Sequence, residues 1–208
     1  MNQESTELLQ KGLIQLGLSI HWAEPLLRYA DLFLKTNENL NLCAPIREED
    51  FVVRHLLDSL APWKYFETFT TLADIGTGGG LPGIPLGLVF QKPIWLIESK
   101  QKKARFLQEA IQTLGLEKCR ILCRNAKEVR IEPEAIVSRA FAEMNHTFQL
   151  IKGWKGKQPA LFFYKGRLEK IKEEQILLPP TLKTIIHAIQ VPFLTEERHL
   201  VQVMWQDR

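Results

Sequence analysis

The chain has 208 residues, 45% hydrophobic and 25% charged, the balance of a globular protein long enough to bury a substantial core. Its 27 Lys and Arg against 24 Asp and Glu leave a net charge of +3, which permits a nucleic-acid partner without demanding one. No apolar run approaches the roughly 20 residues of a membrane span, the polar start MNQESTELLQKG lacks the basic-then-apolar order of a signal peptide, and three cysteines fit a reducing compartment, so a cytoplasmic protein without membrane contact is expected.

The first third reads as helix. TELLQKGLIQLGL and PLLRYADLFLKTN carry apolar residues at helical spacing, among them Leu26, Ala30, Phe33 and Leu34. In REEDFVVRHLLDSLAPW, Glu48, Glu49 and Asp50 suit the positive end of a helix. Val52, Val53, Leu56, Leu57 and Leu60 form its buried stripe, and Pro62 closes it. Arg54 and Asp58, four apart, are spaced to pair on its surface, and His55 lies beside the stripe.

From residue 71 short β-rich runs alternate with helical segments: TLADI, IWLIE, CRILC, AIVSR and ALFFYK, each followed by a helix or short turn. This alternation predicts a mostly parallel sheet with helices on both faces. The last two β-runs, TLKTIIHAIQV and RHLVQVMWQ, are joined only by PFLTEE, so they should pair antiparallel. A seven-stranded α/β sheet closed by such a hairpin resembles the Rossmann-like class I methyltransferase fold. Residues 1–208 are read as one domain, with a helical extension over 1–66 and a cofactor-binding α/β core over 67–208. Cys119 and Cys123 share a strand face in CRILC, but without nearby His or further Cys they make no zinc site, and packing roles are expected. No metal is expected.

The first β-run feeds LADIGTGGGLPGIPLGLVF. In an open α/β sheet, ligands bind at the carboxyl ends of the strands, where this glycine turn falls. Glycines such as Gly76 and Gly78 let a ligand approach the backbone closely. The next β-run ends at Glu98, 22 positions after Gly76, where a carboxylate can accept from both ribose hydroxyls of an adenosine cofactor. Two cofactors fit. Gly78, Gly80 and Gly83 spell G-x-G-x-x-G, as in nicotinamide or flavin dinucleotide sites. The register starting at Gly76 suits S-adenosylmethionine (SAM). Pro82 and Pro85 delete N–H donors that a pyrophosphate would need and SAM would not, and so favour SAM.

RHLLDSLAP (54–62), DIGTGGGLPGIPL (74–86), ESKQKKARFL (98–107) and SRAFA (138–142) together resemble the GidB/RsmG family of bacterial 16S rRNA guanine-N7 methyltransferases, over nearly the whole chain. The resemblance implies a SAM-dependent enzyme acting on a guanine in the 530 loop of 16S rRNA or the small ribosomal subunit. It carries SAM contacts onto Gly76, Leu81 and Glu98, onto Ala126 and Lys127 (where NAKE departs from the family's usual pattern), and onto Arg139 beside the methionine end. Arg139 is the candidate for orienting substrate or cofactor.

Guanine N7 carries an exposed lone pair, so the reaction needs positioning rather than a general base. SRAFA stands where amine methyltransferases carry a polar-Pro-Pro-aromatic motif, and neither Cys119 nor Cys123 lies in a nucleophile motif. For RNA, the basic clusters are 100–105, 152–157 and 164–167. His55, Lys102, Lys103 and Lys165 are candidate RNA contacts. Trp154, between lysines, is placed to stack a base or, as is commoner for tryptophan, to pack. A monomer is expected. The alternatives are a dinucleotide-dependent oxidoreductase and a non-catalytic ribosome-binding module.

Overall fold

The structure is a computed structural model and describes residues 1–154 and 158–205. Helix α1 (Gln3–Gln15) begins where the Asn2 side chain accepts from the Ser5 N–H at 2.8 Å, and it buries Leu9 and Leu13. Helix α2 (Ala23–Leu40) buries Leu26, Tyr29, Ala30 and Phe33 on one stripe and stops at Asn41 in the left-handed conformation.

The third helical run is not uniform. It starts as α3 (Glu48–Phe51), widens into a π-helix (Val52–Leu57), and finishes as α4 (Asp58–Leu60). The apolar stripe is buried as its spacing predicts, apart from a partly exposed Val53. The expected Arg54–Asp58 surface pair does not form. The wider π turn moves residues four apart out of the α-helical alignment. Asp58 turns inward, 6% exposed, while Arg54 stays outside and pairs with Glu196 at 2.6 Å and Asp50 at 3.8 Å.

Seven strands form one sheet in the order β3-β2-β1-β4-β5-β7-β6. They are β1 (Leu72–Ile75), β2 (Ile94–Ile97), β3 (Cys119–Leu122), β4 (Ala135–Arg139), β5 (Ala160–Lys165), β6 (Leu182–Ala188) and β7 (His199–Trp205). β1 to β5 are mutually parallel, and β7 runs antiparallel to both β5 and β6. The central strand β1 is buried along its length, as a parallel strand covered on both faces must be. The chain reverses direction across the sheet between β1 and β4, so the crevice at their carboxyl ends is the topological switch point.

The sheet divides the apolar core. One side holds Phe33, Leu57, Ile84 and Leu107, from α2, the π-helix, α5 (Gly83–Phe90) and α6 (Gln101–Leu114). The other holds Ile75, Ile136, Phe148 and Ile171, joining the strands to α7 (Met144–Ile151) and α8 (Leu168–Ile176). The helices before β1 therefore cover one face of the sheet. The AKEVR segment makes only a 3-10 turn, Ala126–Glu128. Cys119 is buried in β3, whereas Cys123 falls beyond the strand end and is exposed, so only the first packs as the strand spacing predicts.

Candidate cofactor and substrate site

The glycine turn is built around one buried carboxylate. Asp74 Oδ2 accepts from the Thr77 hydroxyl at 2.7 Å and from the Gly83 N–H at 2.8 Å. Burial pushes the Asp74 carboxyl up to about 6, against the opposing pull of those two hydrogen bonds. The turn closes on itself: the N–H groups of Gly80 and Leu81 donate to Thr77 O, and that of Ile84 donates to Gly80 O. Pro82 caps α5 and Pro85 sits in its first turn, neither with an N–H to give. No first-turn donor of α5 is left for a pyrophosphate, and the nearest charge is a carboxylate. The literal G-x-G-x-x-G is not a dinucleotide cradle here.

Gly76 has φ +68° and donates its N–H to Ile97 O at 3.0 Å, tying the turn to the end of β2. A Cβ at Gly76 would collide with the Phe141 ring. Gly83 is constrained differently, because a Cβ there would strike Leu96 and stand 2.8 Å from Asp74 Oδ2. The two glycines thus serve different ends: Gly76 admits the Phe141 ring against the turn, and Gly83 lets α5 approach the strand.

In front of this turn lies a cleft of about 280 Å³, lined by Gly76, Gly78, Glu98, Ser99, Lys100, Lys103, Arg124, Asn125, Ala126, Ala140 and Phe141, with Ile75 and Ile97 beneath. It brings together residues from the ends of β1, β2, β3 and β4. Glu98 is 7% exposed. Its Oε1 accepts from the Lys100 N–H at 2.7 Å, and its Oε2 has no hydrogen-bond partner among the described residues. Ala126 is buried at the start of its 3-10 turn, where the Asn125 side chain accepts from the Lys127 N–H at 3.0 Å. A second cleft of about 280 Å³ opens at the other end of the sheet, beside Trp22, Gln91, Leu114 and Cys119. It meets none of the sequence-predicted site residues.

Gly76, Gly78, Glu98, Ala126 and Lys103 thus share one cleft. The other predicted residues fall elsewhere. Leu81 packs in the core and is 7% exposed. Lys127 and Lys102 are exposed but do not line the cleft. Lys165 is not free for a phosphate: it pairs with the buried Glu174 at 2.7 Å and donates to Ala142 O at 3.4 Å. Glu174 also accepts the Met144 N–H at 2.9 Å, which secures the start of α7. Trp154 does not offer a free ring, because its indole N–H donates to Ala126 O at 3.0 Å and it packs against the α7–β4 side of the core. Residues 155–157 of the basic run 152–157 lie outside the described residues.

Arg139, at the end of β4, is held by the π-helix and the first residue of α4. Its Nη1 donates to Asp58 Oδ2 at 2.9 Å and to Arg54 O at 3.3 Å, and its Nη2 donates to His55 Nδ1 at 3.0 Å. Asp58 Oδ1 accepts from Arg198 Nε at 3.0 Å, so one carboxylate bridges two arginines. Burial, reinforced by the Arg139 and Arg54 charges, pushes the His55 imidazole down to about 3. A neutral ring that accepts at Nδ1 carries its proton on Nε2. His55 is therefore a partner of Arg139 rather than a cation offered to RNA. Sequence reading missed Asp58, Glu174 and Phe141 as parts of this region, although Asp58 and Phe141 stand inside RHLLDSLAP and SRAFA.

Among the described residues no group of His, Cys, Asp and Glu is arranged to hold a metal, and no helix is long and apolar enough to cross a membrane. The fold is similar to that of a putative SAM-dependent methyltransferase from Methanococcus maripaludis, with a TM-score of 0.60 at 15% identity over 86% of this chain and 93% of that one. In sequence, the chain is 38% identical over 212 residues to the ribosomal RNA small subunit methyltransferase G of Xylella fastidiosa, covering 98% of this chain and 96% of the relative. It is 37% identical over 182 residues to the protein of the same name from Brachyspira hyodysenteriae, covering 86% and 88%. The family model described as GidB, rRNA small subunit methyltransferase G, matches residues 23–201. With a family model matched over residues 23–201 and relatives 37–38% identical over 86–98% of its length, this chain belongs to the GidB family of rRNA small subunit methyltransferases.

Proposed function

We propose that the protein transfers a methyl group from SAM to N7 of a guanine in the 530 loop of 16S rRNA, acting in the cytoplasm as a monomer and as a single domain. The observation that carries this reading is the pairing of Gly76 with Glu98 across a cleft whose helix start has no free N–H for a pyrophosphate. The residues fit SAM: Glu98 Oε2 is unpartnered at the cleft among the described residues, in place to accept from a ribose hydroxyl, and Gly76 lines the cleft with backbone alone, the Phe141 ring resting against it. Ala126 would lie against the adenine. SAM, when bound, supplies the electrophilic methyl group.

The protein's part is to hold and orient. Guanine N7 needs no deprotonation, and among the described residues the cleft lining holds no His or Cys; its polar side chains are those of Glu98, Ser99, Lys100, Lys103, Arg124 and Asn125. A near-attack distance of roughly 3–3.5 Å between N7 and the methyl carbon accounts for most of what is required. Lys100, Lys103 and Arg124 at the cleft rim supply positive charge for RNA phosphates. Arg139 does not line the cleft; its guanidinium is held by Asp58 and His55, and from there it positions the β4 end that carries Ala140 and Phe141. Calorimetry with SAM, S-adenosylhomocysteine and NADH tests the cofactor. Binding of the two adenosyl ligands without NADH is expected, and NADH binding without SAM would refute the reading.

A further inference from the structure

If Glu98 and Ala126 hold the adenosine, that end of the cofactor lies over β2 and β3. Its methyl end then reaches the switch point between β1 and β4, and the acceptor must enter on the β4 side. Phe141 stands there, two residues beyond β4. It is 39% exposed and is the one aromatic ring lining the cleft among the described residues. The other large rings nearby are committed: Tyr29 and Tyr164 are engaged by backbone carbonyls, and Trp154 by Ala126 O.

The segment that carries Phe141 is fixed on both sides. Before it, Arg139 is held by Asp58 and His55. After it, Ala142 O accepts from Lys165, and the Met144 N–H donates to Glu174. Ala140 lies at φ +52°, an uncommon conformation for a residue with a Cβ. The ring lies against Gly76 on one side, where a Cβ would collide with it, and its exposed part opens to the cleft among Lys100, Lys103, Arg124 and Glu98.

We infer that Phe141 is the platform on which the acceptor purine base stacks. This rests on the methyltransferase reading and deepens it. A base taken out of its RNA stack loses its neighbours, and an aromatic side chain replaces them. The geometry suits a ring-nitrogen acceptor. The N7 lone pair lies in the base plane, so the base presents an edge to the methyl group and leaves a face free for the phenyl ring.

The test uses Phe141→Trp, Phe141→Leu and Phe141→Ala in the full-length protein, with SAM affinity by calorimetry and methyl-transfer kinetics on small ribosomal subunits or 16S rRNA. The Trp variant should stay within about threefold of wild type, while Leu and Ala should lose about tenfold or more in kcat/KM for RNA. SAM affinity and the thermal midpoint should hardly change in any of them. Leu keeps the apolar bulk, so its failure isolates the aromatic face from simple packing. A Leu variant as active as wild type, or a matching loss of SAM affinity, would overturn the inference while wild-type transfer stands. Wild-type protein that binds SAM but methylates no RNA would overturn the functional reading and this inference with it.

Discussion

Asp58 of the helical extension and Arg139 of β4 form a buried ion pair 2.9 Å long, 81 positions apart in sequence. The same carboxylate holds Arg198, the residue before β7, at 3.0 Å. One side chain therefore fastens the N-terminal helices to two strands of the sheet. Removing one partner of a buried pair leaves the others charged and uncompensated. Asp58→Ala should cost about 3–5 kcal/mol in urea denaturation. A loss below about 1 kcal/mol, the range of an exposed pair, would contradict this account of the pair.

His55 gives the extension a specific pH response. Its imidazole titrates near 6.5 when unfolded and about 3 in the folded protein. Between those values the unfolded chain binds the extra proton, so stability should fall as pH drops from 6.5 toward 3. Asp74 acts in the opposite sense: its carboxyl is raised to about 6, so its contribution is present at low pH and lost as pH rises from 3.8 through 6. His55→Gln should flatten the acid-side loss, and the His55 ring should show no titration above pH 5 by NMR. Titration near 6.5 would place His55 in water rather than against Arg139.

The cofactor contacts separate by chemistry. Gly76→Asp sets bulk against Phe141, a left-handed backbone under strain, and a negative charge in the cleft. SAM binding should be lost in calorimetry. Glu98→Gln keeps the shape but weakens the acceptor; a hydrogen bond involving a charged group contributes about 1.5–3 kcal/mol, so SAM affinity should drop by about 10- to 100-fold. Normal SAM binding by either variant would remove the cleft as the cofactor site.

Lys103 and Lys165, alike in sequence, should behave differently. Lys103 lines the cleft, whereas Lys165 is committed to Glu174. Lys103→Ala should lower the slope of log affinity against log salt for RNA by about 1. Lys165→Ala should leave the slope alone and cost about 3 kcal/mol of stability, because Glu174 is left buried without its cation. A reduced salt slope for Lys165→Ala would return that lysine to the RNA surface.

The contrast between those two lysines marks where sequence reading ends. Alternation of β-runs and helices predicts the strands, the terminal hairpin and the position of Gly76 opposite Glu98, because each depends on local pattern and on connection length. The prolines of GLPGIPL are equally local: they remove donors wherever the chain goes. Asp58 is different. Its α-helical spacing predicts Arg54 as partner, but the π-helix breaks that spacing, and the true partners are Arg139 of β4 and Arg198 just before β7, 81 and 140 residues away. Lys165 and His55 look available for RNA in the sequence for the same reason. A basic or aromatic residue in a sequence carries no sign of the carboxylate, guanidinium or carbonyl that claims it in the fold.

Methyl transfer from labelled SAM to small ribosomal subunits and to naked 16S rRNA, mapped by N7-selective cleavage and reverse transcription, tests the central claim most directly. The account predicts label at one guanine in the 530 loop, absent with Gly76→Asp. Label on protein alone, on an exocyclic amine or pyrimidine, or on no RNA at all would contradict it.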